Sequence, residues 1–179
     1  DNKVTDGLKI HYAKKFNQFG ASPQGVDWGN KHNDVTLRFE KMLNLIKYDS
    51  PVLTKPSLLD VGCGYGAILD YVYENGIELN YTGVDVVEEM IKYATEKYPN
   101  VNFFNKDILQ IEEGHYDYIV CNGILTQKLN ASIREMDVFA KQLIHKMYYL
   151  CNKGIAFNIM SDKVNFMVDN LYYKNPLEM

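Results

Sequence analysis

The chain has 179 residues, 46% of them hydrophobic, which suits one globular domain with a sizeable core and leaves no room for a second of normal size. Charged residues make up 23% and the formal net charge is -4, so a general electrostatic attraction to nucleic acid or to an anionic membrane is not expected. No run of about 18 apolar residues occurs, the start DNKVTDGLKI lacks a basic segment leading into an apolar one, and Cys63, Cys121 and Cys151 form no CxxC pair. A cytoplasmic protein without a metal site is expected.

Residues 1–32 are rich in Gly, Asn, Lys and aromatics without a sustained period, and read as an irregular arm with one short helix around HYAKKFNQF. Tyr12, Phe16, Phe19 and the single tryptophan, Trp28, make this arm a candidate lid over a pocket, the alternative being a strap across the next helix. Val35, Phe39, Met42, Leu43 and Ile46 then fall at helical spacing, with Asn33 or Asp34 as the cap and DSPVLTKP as the break.

Beyond the break, strands and helices alternate. SLLDV (57–61), LNYTGVD (79–85), VNFF (101–104), YDYIVCNG (116–123) and GIAFNIM (154–160) read as strands. Between them lie helix faces built from Ile68, Leu69 and Val72, closed by Asn75 and Gly76, and from Val87, Met90, Ile91 and Ala94. Ser132 and Glu135 have capping-box spacing ahead of a long amphipathic helix through Leu150. This order predicts an α/β fold, a Rossmann-like doubly wound parallel sheet in a three-layer α/β/α arrangement spanning residues 33–179.

In such a sheet the first strand-to-helix turn approaches the ligand most closely. Here that turn reads LLDVGCGYG, with Gly62, Gly64 and Gly66 alternating after Asp60, and Asp85 ends the second strand 19 positions later. A plain tight turn is the simple alternative for the glycines alone. An acidic residue ending the second strand suits a ribose with two free hydroxyls. A GxGxG spacing led by a carboxylate repels a pyrophosphate and attracts an ammonium group, which departs from the dinucleotide fingerprint GxGxxG. An adenosine-like ribose, a cationic amine and no phosphate is the combination found in S-adenosylmethionine. Asp107 and Ile108 are then candidates for the adenine amine and ring, and Asn122 and Gly123 for the neighbourhood of the reactive methyl; a solvated turn aspartate and an Asn-Gly turn are their alternatives. Cys63 and Val86, next to the loop glycines and to Asp85, complete the expected cofactor contacts, although packing is the first reading of the thiol. Arg38 is placed to reach the methionine carboxylate if the arm closes.

The motifs LLDVGCGYG, YTGVDV, NFFNKDI and YDYIVCNGIL, in this order across residues 57–160, resemble those of the class I S-adenosylmethionine-dependent methyltransferases. GVDWGNKHNDVTLRF, GIAFNIMSD and LYYKNP are similar to a narrower group of largely uncharacterised bacterial members. The resemblance implies S-adenosyl-L-methionine as cofactor and S-adenosyl-L-homocysteine as product. It also implies two further strands, an antiparallel edge pair, yet only MSDKVNFMVDNLYYKNPLEM follows the fifth strand. A truncated C-terminus is the favoured expectation, a departure from the fold the other. Either leaves the fifth strand as an apolar edge open to self-association. The acceptor is expected to be a small molecule methylated on oxygen or nitrogen, mainly by positioning. No catalytic residue is assigned; His11, His32 and Asp162 are the candidates for a base. The alternatives are a non-catalytic cofactor-binding regulator or partner subunit, and an enzyme acting on RNA or protein.

Overall fold

A computed structural model describes residues 2–28, 32–47 and 55–177, the side chains of His32 and Asn33 excepted. Its centre is a five-stranded sheet in the order β3-β2-β1-β4-β5, built from β1 (Ser57–Val61), β2 (Asn80–Asp85), β3 (Asn102–Asn105), β4 (Tyr116–Cys121) and β5 (Cys151–Phe157). All four pairings are parallel, so the chain must cross over between strands, and from β1 to β2, β2 to β3 and β4 to β5 it does so through helices. Those are α3 (Ala67–Glu74), α4 (Glu88–Lys97) and α5 (Ile133–Tyr149). Strand alternation sorts the core cleanly. Leu59, Val61, Ile119 and Cys121 pack against α5, whereas Leu58, Tyr118 and Val120 pack against α3 and α2 (His32–Lys47). The capping box at Ser132 forms as expected, with Ser132 Oγ accepting from the Glu135 amide and the Glu135 carboxylate accepting from the Ser132 amide.

Several boundaries differ from the sequence reading, each for a physical reason. The short helix expected around HYAKKFNQF forms but is longer, and takes in residues read as irregular: α1 (Lys3–Phe19) is a 17-residue helix. Asn2 caps it through a bond from the Val4 amide, and Gly20, at φ 64, ends it. Only Val4 and Leu8 are buried on it, so polar residues mask the stripe that a periodicity search needs. α2 begins at His32, which puts Asp34 in its first turn rather than at the cap, and of the expected break DSPVLTKP (49–56) residues 49–54 lie outside the described residues. β5 starts at Cys151, three residues early, because its pairing with β4 continues through an irregularity where Asn152 and Lys153 are exposed. It stops at Phe157.

No antiparallel pair follows β5 among the described residues. A two-residue parallel pair forms instead between β6 (Met160–Ser161) and β7 (Tyr173–Lys174). The tail is anchored by Tyr172, 1% exposed, whose hydroxyl donates to Asp137 Oδ1 on α5 at 2.6 Å. Along the outer side of β5 no strand pairs among the described residues, as an edge position requires.

Candidate cofactor site

One cavity opens at the carboxyl ends of β1, β2 and β4, and ten of the eleven residues expected at the cofactor line it. Its floor is the turn after β1. The amides of Gly62 and Cys63 both donate to Val84 O, at 2.8 and 3.1 Å, tying the turn to β2. Gly62 has φ 71, and a Cβ there would lie 2.7 Å from the Ile124 side chain, so this glycine makes room for the loop after β4. Gly64 differs: a Cβ would meet Val26 and Met90 at the ordinary distances of 3.6 and 3.7 Å, and only its φ of 56 calls for glycine.

The Gly64 amide donates to Asp85 Oδ2 at 2.9 Å, and the Val87 amide to Asp85 Oδ1 at 2.8 Å. Both carboxylate oxygens are thereby oriented, and each retains a lone pair for a further donor. Burial pushes the Asp85 carboxyl up, while bonds from the Val87, Gly64 and Val86 amides work against it. Asp60 is 4% exposed and takes a bond from the Tyr81 hydroxyl at 2.7 Å. Burial pushes its carboxyl up to about 7; the Tyr81 bond opposes the shift and the charge of Asp85 adds to it. Asp60 therefore stands between acid and carboxylate near neutrality, and a cationic ligand group would draw it to the carboxylate. Asp107 accepts from the Leu109 amide at 2.9 Å and so caps the short 3-10 helix Ile108–Gln110, which sets the buried Ile108 into the wall. Cys63 is buried, and burial, followed by the charges of Asp85 and Asp60, pushes its thiol up, as suits a packed rather than a reactive sulfur.

At the end of β4 the Gly123 amide donates to Asn158 Oδ1 at 2.8 Å, and a Cβ on Gly123 would lie 3.3 Å from the Trp28 indole nitrogen. Asn122 is the anomaly. Its amide nitrogen and oxygen are both buried, and neither has a protein partner. Burying two such atoms unpaired costs about 1–3 kcal/mol each unless something in the cavity meets them.

The cover comes from α1 and the segment behind it. Thr5, Leu8 and Tyr12 line the cavity from the helix, and Val26 and Trp28 from the segment 20–28. Thr5, whose buried hydroxyl has no protein partner, was not visible as a site residue because the first turns of α1 show no apolar period. Arg38 is the exception among the expected contacts. It does not line the cavity; its guanidinium lies over the Trp28 ring, 5.4 Å from the centroid. Of the base candidates, His11 is bound to Asp27, Asp162 does not line the cavity, and the His32 side chain is outside the described residues.

A methyltransferase-domain family model matches residues 58–142. The putative methyltransferase Rv1506c of Mycobacterium tuberculosis is 31% identical over 125 residues, covering 67% of this chain and 74% of that protein. The chain belongs to the class I S-adenosylmethionine-dependent methyltransferases. The ubiquinone biosynthesis O-methyltransferase of Rickettsia bellii is 29% identical over 104 residues, which are 55% of this chain and 42% of that enzyme. The chain thus spans about three quarters of the first relative and less than half of the second. In fold, it matches the magnesium protoporphyrin IX methyltransferase of Synechocystis PCC 6803, solved with bound SAM. The TM-score is 0.63 at 17% identity, over 94% of this chain and 80% of that one.

The charge of this methyltransferase's cavity agrees with its family's cofactor. Among the described lining residues the charged groups are Asp60, Asp85, Asp107 and Lys106, a set that disfavours a phosphate and suits an ammonium with a ribose. The unpaired amide of Asn122 and the hydroxyl of Thr5 offer polar partners where a ligand would lie. No group of three or more His, Cys, Asp or Glu able to hold a metal occurs among the described residues, and no described helix is long and apolar enough to cross a membrane.

Proposed function

We propose that this methyltransferase transfers the methyl group of S-adenosyl-L-methionine to a small-molecule acceptor, at oxygen or nitrogen, in the cytoplasm. The observation that carries the reading is Asn122: a buried amide without a partner, in a cavity that also holds the oriented carboxylate of Asp85. When bound, the cofactor supplies a methyl group on a sulfonium, already activated for displacement. Asp85 accepts the ribose hydroxyls on its remaining lone pairs. Asp60 faces the ammonium, and Asp107, with one oxygen spent on its cap, turns the other to the adenine amine while Ile108 packs on the ring. The Asn122 amide satisfies itself on the amino-acid end. Thr5, Leu8, Tyr12 and Trp28 cover the site and exclude water, so that positioning supplies most of the acceleration. The name of the Rickettsia relative supports oxygen as one acceptor atom. The open outer side of β5 is the surface through which we propose that copies of the chain associate.

Calorimetry with S-adenosyl-L-homocysteine tests the binding. Asp85→Ala removes charge-assisted bonds worth about 1.5–3 kcal/mol each, so affinity should fall about tenfold or more. Unchanged affinity in this variant, or tight binding of NAD, would sink the assignment. Transfer from labelled cofactor to metabolite, RNA and protein fractions tests the acceptor class. Label in the metabolite fraction is expected; label in RNA or protein, or none, decides for another reading.

A further inference from the structure

Helix α1 crosses the cavity lengthwise. At its start, Lys3 and Val4 border a surface groove together with Asp107 and Leu109, and Lys3 Nζ reaches Glu135 of α5 at 3.1 Å. In its middle, Tyr12 lines the cavity, where burial, then the charges of Asp27 and Asp85, push its phenol up. Near its end, Phe16 stacks on Tyr65 of the glycine turn, with ring centres 6.3 Å apart, and meets Tyr93 of α4 edge-on at 6.0 Å. Asp107 and Ile108 stand at the adenine end of the cavity in the reading above, and Asp85 at the ribose. The helix therefore runs from the adenine end towards the turn after β1, and presents Thr5, Leu8 and Tyr12 to the cavity from one face.

Packing does not explain Thr5. Its Oγ is buried and has no hydrogen-bond partner. Capping does not need it, since Asn2 is the cap and accepts from the Val4 amide at 3.1 Å. Apolar contact does not need it either. Val4 and Leu8, 7% and 6% exposed, fasten this end of the helix to the cluster that holds Ile108 and Phe139, and a valine at position 5 would fill the same shape without stranding a hydroxyl. A buried hydroxyl without a bond lowers stability, so its presence points to a partner that arrives in the cavity. Threonine on a helix has two χ1 rotamers open to it; the side chain already borders the cavity, so it can turn Oγ to a ligand atom without shifting α1.

We propose that Thr5 is a cofactor-binding residue: its hydroxyl bonds the polar edge of the adenine base, and this bond fastens α1 over the filled site. The proposal rests on the cofactor reading of the preceding section. There Asp107 accepts from the adenine amine; a carboxylate can only accept, whereas a hydroxyl can donate to a ring nitrogen on the same base. The base is then held by two elements, the 3-10 helix after β3 and the first turns of α1, which the groove beside Asp107 shows to be neighbours. A stranded Oγ makes the seat of α1 less favourable when the cavity is empty than when the base is bound. Binding the cofactor thereby steadies the helix that also carries Leu8 and Tyr12 into the cavity wall.

The test compares two ligands on the whole protein. Methylthioadenosine carries the base and ribose without the amino-acid end, and S-adenosyl-L-homocysteine carries all three. Calorimetry with Thr5→Val should show both weakened by the same factor, about 3–10-fold. Melting of the same variant without ligand should show Tm unchanged or raised by about 2–4 °C, because an unpaired hydroxyl is no longer buried. Thr5→Ser keeps the hydroxyl and loses the methyl, so it should bind both ligands within about twofold of the native protein although its Tm falls. A hydroxyl that served only the fold would give the reverse, a lower Tm in Thr5→Val with native affinity, and that result overturns the proposal. A loss confined to S-adenosyl-L-homocysteine also overturns it, since Thr5 would then serve the amino-acid end. Native protein that binds neither ligand defeats the cofactor reading itself, and this proposal with it; native binding of both, unaffected in Thr5→Val, defeats this proposal alone.

Discussion

The floor and the cover of the cavity are built by different rules. The floor consists of turns after β1, β2 and β4, where short-range demands select many of the residues: a positive φ at Gly62, the Val87 amide on Asp85 two residues before it, a cap at Asp107. Each of these can be read a few residues at a time. The cover is held by bonds between distant segments, such as Gln127 to Asp27 across 100 positions. The two halves should also fail differently when broken.

The largest effect is expected in the floor. Gly62→Ala would impose a left-handed backbone on a residue with a Cβ and drive that atom to 2.7 Å from Ile124. Left-handed strain of about 1–2 kcal/mol and the overlap together should cost about 3 kcal/mol. Calorimetric melting should show Tm falling by about 6–12 °C. A fall of only a degree or two would mean that Ile124 moves aside freely and that the floor is as adaptable as the cover.

The same contrast explains what could be read from the sequence. The order of β1 to β5, the capping box at Ser132 and ten of the residues that meet in the cavity were all legible, because period, caps and glycine spacing are local signals. The first turns of α1 were not, since its buried stripe reduces to Val4 and Leu8 among polar residues, and the early start of β5 hid behind the exposed Asn152 and Lys153. Asn2 ahead of Lys3 and Gly20 after Phe19 were the available cap signals for that helix. Asp27 and Gln127 carried no signal at all. Their roles exist only through each other. Arg38, assigned from its place at the start of a helix, instead stacks on Trp28, a partner no spacing rule could supply.

A smaller effect sharpens the comparison through pH. Burial raises the Asp60 carboxyl from 3.8 to about 7, so between those values the folded protein keeps a proton that the unfolded chain has lost. Its contribution to stability is therefore whole below about pH 4 and is lost as pH rises through about 7. Product binding should run the other way: the ligand's ammonium favours the carboxylate, so S-adenosyl-L-homocysteine affinity rises with pH up to about 7 and levels off above, by at most about tenfold per unit. Calorimetry in buffers of different ionisation enthalpy would register the released proton. Asp60→Asn should flatten both trends, and a pH-independent affinity in the native protein would remove Asp60 from the site.

The smallest effect belongs to the tail. The tail reaches the loop after β4 through backbone bonds, with the Lys128 and Leu129 amides donating to Asn170 O at 2.8 and 3.0 Å and the Tyr172 amide to Thr126 O at 2.8 Å. Its side-chain anchor is the Tyr172 hydroxyl on Asp137, a carboxylate that also binds Lys174 Nζ at 3.0 Å. Tyr172→Phe keeps the buried ring and the Lys174 pair and deletes one hydrogen bond, so it should cost about 1 kcal/mol, or about 2–4 °C in Tm. Because the tail touches the loop after β4 and not the glycine turn, product affinity should stay at the native value. Protease cleavage within 158–177 should quicken. Should affinity fall along with stability, the tail would be coupled to the floor, and the floor of this methyltransferase would depend on distant segments as well as on its own turns.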